Sequence, residues 1–320
     1  MFLIFIIMQL VHGNYSDQKF DGYPVYLLCV FRDEAISLPY FMQYYQELGV
    51  THFIMVDNGS EDEGAEFLKS IPNINLKLFL ALDSFREALC GIRWVNILLD
   101  KFCVNQYCLV VDVDELFTFD LNQYVNIQEL IQVMENTDCN VIGATLLDMY
   151  PKVLNNDYKP GDKFIDHSAY FDAWNEDFYT VKKKLYKNFY WITGGLRARL
   201  MKTDNIIHKL PFFKYNFQPL RLNMGTHFFH YKRQVVFDAD VIRLLDQMAV
   251  LLHFKFVKPN FIDYLDTQIS NNEHWNDSIE YKNYKASLSG EDALHFYDEN
   301  YSKKFDGLED LSDFFDLQER

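Results

Sequence analysis

Short apolar runs alternate with stretches whose apolar residues recur every three or four positions, and the alternation repeats through the first third of the chain. Val25–Phe31 reads as a strand, Ile36–Leu48 as a helix stopped by Gly49, and His52–Asp57 as a second strand. Glu61–Ser70 follows as a helix and Leu76–Leu82 as a third strand. A longer helix is expected from about Ser84 to Asn105, because Phe85, Leu89, Ile92, Leu99 and Phe102 share one face and Ser84 offers an N-cap. Tyr107–Val113 closes the series as a fourth strand, and Asn126–Glu135 and Cys139–Asp148 extend it by a helix and a strand. Such a series predicts an α/β fold with a mostly parallel sheet, right-handed crossovers and flanking helices.

Parallel sheets bind ligands beyond the carboxyl ends of their strands. Those ends carry Arg32-Asp33-Glu34, Asp57-Asn58-Gly59-Ser60, Asp83, and Asp112-Val-Asp114-Glu115. Strand alternation would point Asp112 and Asp114 the same way. Two neighbouring carboxylates repel unless a cation sits between them, and Mg²⁺ or Mn²⁺ prefers such oxygen ligands, shared with substrate phosphates. A lone Asp-x-Asp is equally a solvated acidic turn; three acidic strand ends in one crevice favour a nucleotide and metal site.

The segments Cys29-Val-Phe-Arg-Asp-Glu-Ala35, Asp57-Asn-Gly-Ser60 and Asp112-Val-Asp-Glu-Leu-Phe117 resemble the nucleotide-sugar half of family-2-like glycosyltransferases of the GT-A fold. Leu147-Asp-Met-Tyr-Pro151, Gly194-Gly-Leu-Arg-Ala-Arg199, Lys209-Leu-Pro-Phe-Phe-Lys214, Thr226-His227 and Leu251-Leu-His-Phe-Lys-Phe256 resemble later parts of one branch, so the resemblance spans about residues 25 to 290. It implies a Rossmann-like GT-A sheet and transfer of a sugar from a nucleoside-diphosphate donor to a glycan or other hydroxyl acceptor, with inversion. It also implies a late histidine in the metal shell, here His253 beside Asp112 and Asp114, with Mn²⁺ or Mg²⁺ as cofactor. The donor is expected to meet Arg32, Glu34, Asp57, Asp83 and Asp112, with Arg93 or Arg197 steadying its phosphates. The family's Glu-Asp base motif is not evident: Glu176-Asp177 matches literally but precedes the Gly-Gly segment. Asp172 and Asp148 are therefore the candidates for the base.

Composition narrows the class. At 320 residues, with 49% apolar and 24% charged residues, the chain is ordinary globular protein. Its net charge of −16 argues against nucleic acid as a partner. The charge is uneven: Lys182–Arg233 carries twelve Lys or Arg and one acid, a net +11 against −27 elsewhere. A basic segment in an acidic protein suits an anionic ligand, although Lys182–Lys184 alone reads as a solvated face. Arg197 and Arg199 beside Gly194-Gly195 are better candidates, since arginine forks fit phosphate and glycines let a backbone come close. His227 and His230 could touch diphosphate or serve structure. Five cysteines at 29, 90, 103, 108 and 139 lack paired metal spacing and indicate neither disulfides nor zinc.

The expected organisation is an apolar segment at 1–22, a GT-A domain at 23–272 and an acidic helical extension at 273–320. The domain divides into a nucleotide-sugar half, 23–120, and an aromatic and basic acceptor half, 121–272. Phe2–Val11 is apolar but too short to span a bilayer, which needs ~20 residues. A cytoplasmic protein is expected, with peripheral membrane association left open. A secretory lumen is the alternative if that segment is a signal peptide. Of four sequons, Asn14, Asn58, Asn276 and Asn300, the second falls in the expected nucleotide loop, so the set is discounted. A nucleotidyl or phosphoryl transferase and a non-catalytic nucleotide- or carbohydrate-binding module remain as alternative functions, although no P-loop or Gly-x-Gly-x-x-Gly fingerprint is present.

Overall fold

A computed structural model describes the chain apart from residues 1–7, 17–19, 121–125, 156, 187–188, 217–219, 224, 232–233, 236–241, 247, 291–293 and 316–320. In chain order it contains β1 (Met8–Asn14), β2 (Val25–Phe31), α1 (Leu38–Leu48), β3 (His52–Asp57), α2 (Gly64–Ser70), β4 (Asn75–Ala81), α3 (Ile92–Phe102) and β5 (Gln106–Val110). Next come β6 (Glu115–Thr118), α4 (Ile127–Asn136), β7 (Val141–Asp148), α5 (Phe164–His167), β8 (Tyr170–Asp172), the hairpin β9–β10 (Thr180–Tyr186, Phe189–Thr193) and α6 (Leu196–Met201). The last third adds β11 (His208–Tyr215), β12 (Leu220–Asn223), β13 (Phe228–Tyr231), β14 (Gln234–Val235), β15 (Ala249–His253), α7 (Phe261–Asn271), α8 (Trp275–Ser287), β16 (Ser302–Lys304) and α9 (Ser312–Phe315).

The fold is mixed α/β around a nine-stranded sheet of order β1-β4-β3-β2-β5-β11-β7-β15-β6. Neighbours among β4, β3, β2 and β5 pair in parallel, as the alternation predicts. β11 enters antiparallel between β5 and β7, β15 runs parallel to β7, and β6 closes the far edge antiparallel to β15. Along β2, Leu27, Cys29 and Phe31 face one buried layer with Phe41 and Tyr45 of α1, while Leu28 faces another with Trp94 and Leu98 of α3. Burial on both faces is why these strands read as continuous apolar runs.

The differences from expectation have local causes. α3 begins at Ile92 rather than Ser84, because Leu89, Cys90 and Gly91 lie at φ 54°, 55° and 81°, a left-handed run no α-helix accommodates. The fourth strand ends at Val110, since Val111–Asp114 leaves β5 to reach β6 at the opposite edge. Met8–Val11, the described part of the apolar N-terminal run, lies in β1, whose strand also contains Val11-His-Gly13 and pairs with β4. Residues 8–14 therefore form an edge strand of the main sheet. The 273–320 segment is not all helix: after α8, β16 pairs antiparallel with β8. No helix among the described residues is long and apolar enough to cross a membrane.

Candidate functional site

Strand order reverses between β2 and β5: β2 is followed in the chain by β3 on one side, whereas β5 and the later strands lie on the other. The loops after these two strands must part, and a crevice is expected there. A cleft of about 640 Å³ occupies the place. Leu28 and Val30 of β2 and Val110 at the end of β5 line it, with Ile92 and Val95 from α3. Arg32, Glu34, Asp112 and Asp114 contribute from the loops after β2 and β5, and His253, Lys255 and Lys258 from the end of β15. Tyr264 and Gln268 of α7 and Glu280 and Tyr281 of α8 also line it.

The two aspartates of Asp112-Val-Asp114 share the cleft but not an environment. They lie in a turn rather than a strand, so strand alternation does not govern them. The Asp112 side chain is 67% exposed, with Lys209 Nζ at 3.5 Å, whereas that of Asp114 is 12% exposed with His253 Nε2 3.6 Å away. A bond from the Phe254 amide to the Asp114 carbonyl, 2.7 Å, ties this turn to the end of β15. Burial opposes ionisation of Asp114, but the charge and hydrogen bond of His253, backed by Lys255 and Lys258, hold its carboxyl well below the usual range. Burial likewise opposes protonation of His253, yet Asp114 and the bonds to Asp114 and Asp148 raise its pKa above the ordinary histidine value.

The residues expected to hold a metal are thus adjacent without forming a closed set. Among the described residues no group of three or more His, Cys, Asp or Glu side chains is gathered as a ready metal cage. Asp114 with His253 supplies one carboxylate and one imidazole, and Asp112 stands at the rim. That donor set fits a divalent ion that takes one or two protein carboxylates and completes its shell with substrate phosphate and water.

Three cations concentrate positive charge beside these acids, and composition alone did not single out two of them. Lys209, 7% exposed, pairs with buried Glu115, and Lys258 pairs with Glu34. Lys255 donates to the Tyr281 hydroxyl (3.3 Å), and no carboxylate lies within ion-pair distance of it among the described residues. Lys255 and Lys258 sit in the apolar run Leu251–Val257 and its end, where a lysine reads as an interruption. The signal available was their spacing after His253.

The other expected contacts lie elsewhere. Asp57 is buried and accepts from the Ser60 amide (2.7 Å); neither it nor Asp83 lines the cleft, though Asn58 between them does. Asn58 donates to the carbonyls of Ala81 (2.8 Å) and Asp83 (3.1 Å), so it joins the ends of β3 and β4. Arg93 does not line the cleft. Arg197 is buried, with Nε 2.8 Å from Asp148 Oδ2 and Nη1 3.3 Å from Glu280 Oε1, and does not line it either. Asp148 and Asp172, the candidate bases, are 4% and 2% exposed and outside the cleft. Asp172 is gripped by Arg199 through Nε (2.9 Å) and Nη2 (2.8 Å), and by the Tyr150 hydroxyl. A base must touch the acceptor, so this placement makes both carboxylates parts of buried ion pairs. Gly194 serves the chain's own packing: at φ 140°, a Cβ there would lie 2.2 Å from the Phe178 carbonyl. His227 donates from Nδ1 to the His208 carbonyl (2.5 Å), and His230 meets the Asn223 amide (2.9 Å).

No family model matches the chain, and no curated protein matches it. Among solved structures it is similar to the crystal structure of HddC from Yersinia pseudotuberculosis, at 12% identity and a TM-score of 0.33, over 72% of this chain and 93% of that one. At that level the likeness carries no argument about chemistry.

Proposed function

We propose that the chain is a divalent-cation-dependent glycosyltransferase of the GT-A type, moving a sugar from a nucleoside-diphosphate donor to a hydroxyl acceptor. One observation carries this reading: at the strand-order reversal, Asp114 and His253 adjoin each other, with Asp112 at the rim and three lysines around them. A nucleoside diphosphate has the complementary chemistry, an apolar base and a polyanion. Leu28, Val30, Ile92 and Val95 offer the base an apolar wall, and Glu34 and Arg32 stand at the neighbouring strand end for ribose or base polar groups.

Mn²⁺ or Mg²⁺ would be held by Asp114 and His253, with Asp112 closing from the rim. When bound, it would neutralise charge that develops on the leaving diphosphate. Lys255, which has no carboxylate within ion-pair distance among the described residues, would meet a phosphate oxygen. Lys209 and Lys258, paired with Glu115 and Glu34, would hold those carboxylates in place beside the diphosphate.

The test is release of the nucleoside diphosphate from a panel of nucleoside-diphosphate sugars with Mn²⁺, the sugar passing to water or an added hydroxyl acceptor, by the native chain and by Asp114→Ala. The reading predicts consumption of at least one donor, and a loss of at least about 10³-fold in the variant while its melting temperature holds. Donor binding without consumption would favour a non-catalytic module. Release of pyrophosphate from a nucleoside triphosphate and a sugar phosphate would favour a nucleotidyl transferase.

A further inference from the structure

We propose that Asp148, itself held by Arg197, is a positioning residue that fixes the His253 ring so that Nε2 is presented beside Asp114 as the ligand for the divalent cation. The inference rests on the function proposed above and gives Asp148 a role other than that of a base.

The geometry is a continuous buried series. His253 and Asp148 stand opposite each other in the parallel pairing of β15 with β7, and the Met149 amide donates to the His253 carbonyl at 2.8 Å, so backbone fixes both. His253 Nδ1 lies 2.7 Å from Asp148 Oδ1, and the two side chains are 6% and 2% exposed. A carboxylate only accepts, so Nδ1 donates to Asp148, and Nε2 is turned toward Asp114, where a bound cation would displace its proton. The second Asp148 oxygen accepts from Arg197 Nε at 2.8 Å, which stops the carboxylate rotating away from the histidine. Arg197 is braced in turn by Glu280, whose Oε1 also accepts from Asn205 (2.9 Å) and from the Tyr284 hydroxyl. Carboxylate partners of this kind set the tautomer and basicity of metal-bound histidines, and their loss typically costs about 10–100-fold in metal affinity. A buried ion pair that served stability alone would need neither the bond to Nδ1 nor a histidine whose other nitrogen faces a cleft carboxylate.

The experiment is titration of the full chain with Mn²⁺ alone, followed by electron paramagnetic resonance, for the native protein, Asp148→Asn, His253→Ala and the double variant. Asp148→Asn should weaken Mn²⁺ binding about 10–100-fold, and the double variant should bind no more weakly than His253→Ala. Native-like affinity in Asp148→Asn, or a full additional loss in the double variant, overturns the positioning role. Native-like affinity in His253→Ala, or no Mn²⁺ uptake by the native chain, removes the metal reading itself and this inference with it. Imidazole ¹⁵N spectra of the native protein, titrated with diamagnetic Zn²⁺, decide the matter even if the variants do not fold. The expected result is a shifted Nε2 with Nδ1 still protonated, and a metal-bound Nδ1 would overturn the proposal.

Discussion

Both halves of the sheet carry acidic residues at the same rim, but those residues have different partners. In the half built from β2, β3 and β4, three carboxylates bond to backbone amides, Asp57 to Ser60, Asp33 to Glu61 and Asp62 to Ala35, each at 2.7 Å, while Glu34 reaches across the cleft to Lys258. The amide bonds stitch the loops after β2 and β3 together. In the half built from β5, β11, β7 and β15, the carboxylates face cationic side chains: Glu115 meets Lys209, Asp148 meets Arg197 and His253, and Asp114 meets His253. An aspartate that caps a loop is saturated by its own chain. One paired with a cationic side chain can exchange that partner for a ligand. Residue type at a strand end therefore locates a rim, and the partner decides whether the rim does chemistry.

The contrast predicts a graded response to substitution. The largest effect on stability should come from Arg197→Ala, which leaves buried Asp148 with His253 as its remaining partner and takes one donor from Glu280. A loss of about 3–5 kcal/mol is expected from denaturant unfolding. A loss under about 1 kcal/mol would mean that the buried series is dispensable.

A second effect concerns acid. Burial, with His227 nearby, pushes His208 down to about 2 from its usual 6.5. The unfolded chain then binds the extra proton, so this contribution is complete above about pH 6.5 and is lost as pH falls below it. At pH 5 the cost is roughly 2 kcal/mol. Urea midpoints at pH 7 and pH 5 should therefore differ less in His208→Gln than in the native chain, and an unchanged difference would remove His208 as the cause.

The smallest effect is expected in the other half. Asp57→Ala removes one bond to the Ser60 amide and should cost about 1 kcal/mol, with donor turnover reduced far less than by Asp114→Ala. Equal losses of turnover would erase the contrast between the halves.

How much the sequence discloses follows the same division. β2 to β5 are legible because each is a short apolar run bounded by turn residues, and chain order there matches spatial order closely enough for the crevice to be located. Gly49 ends α1 as expected, in a left-handed cap at φ 102°. The start of α3 is hidden, because Leu89 and Cys90 are not residues that announce a positive φ. The jump from Asp114 to β6 and the insertion of β11 are set by pairing between distant segments, which no local periodicity encodes. Site residues divide similarly: Asp112, Asp114, Arg32, Glu34 and His253 reach the cleft, whereas Asp57, Asp83, Arg93, Arg197, Asp148 and Asp172 do not line it. Nothing in the neighbourhood of Asp148 along the chain reveals that its partners are 49 and 105 residues away.

The most direct measurement is anomalous scattering from a crystal of the native chain grown with Mn²⁺ and a nucleoside diphosphate. The account predicts a manganese peak bound by Asp114 and His253 Nε2, with a diphosphate oxygen completing its shell near Lys255. A nucleotide bound with no ion between it and Asp114, or manganese held only at other carboxylates, would contradict it.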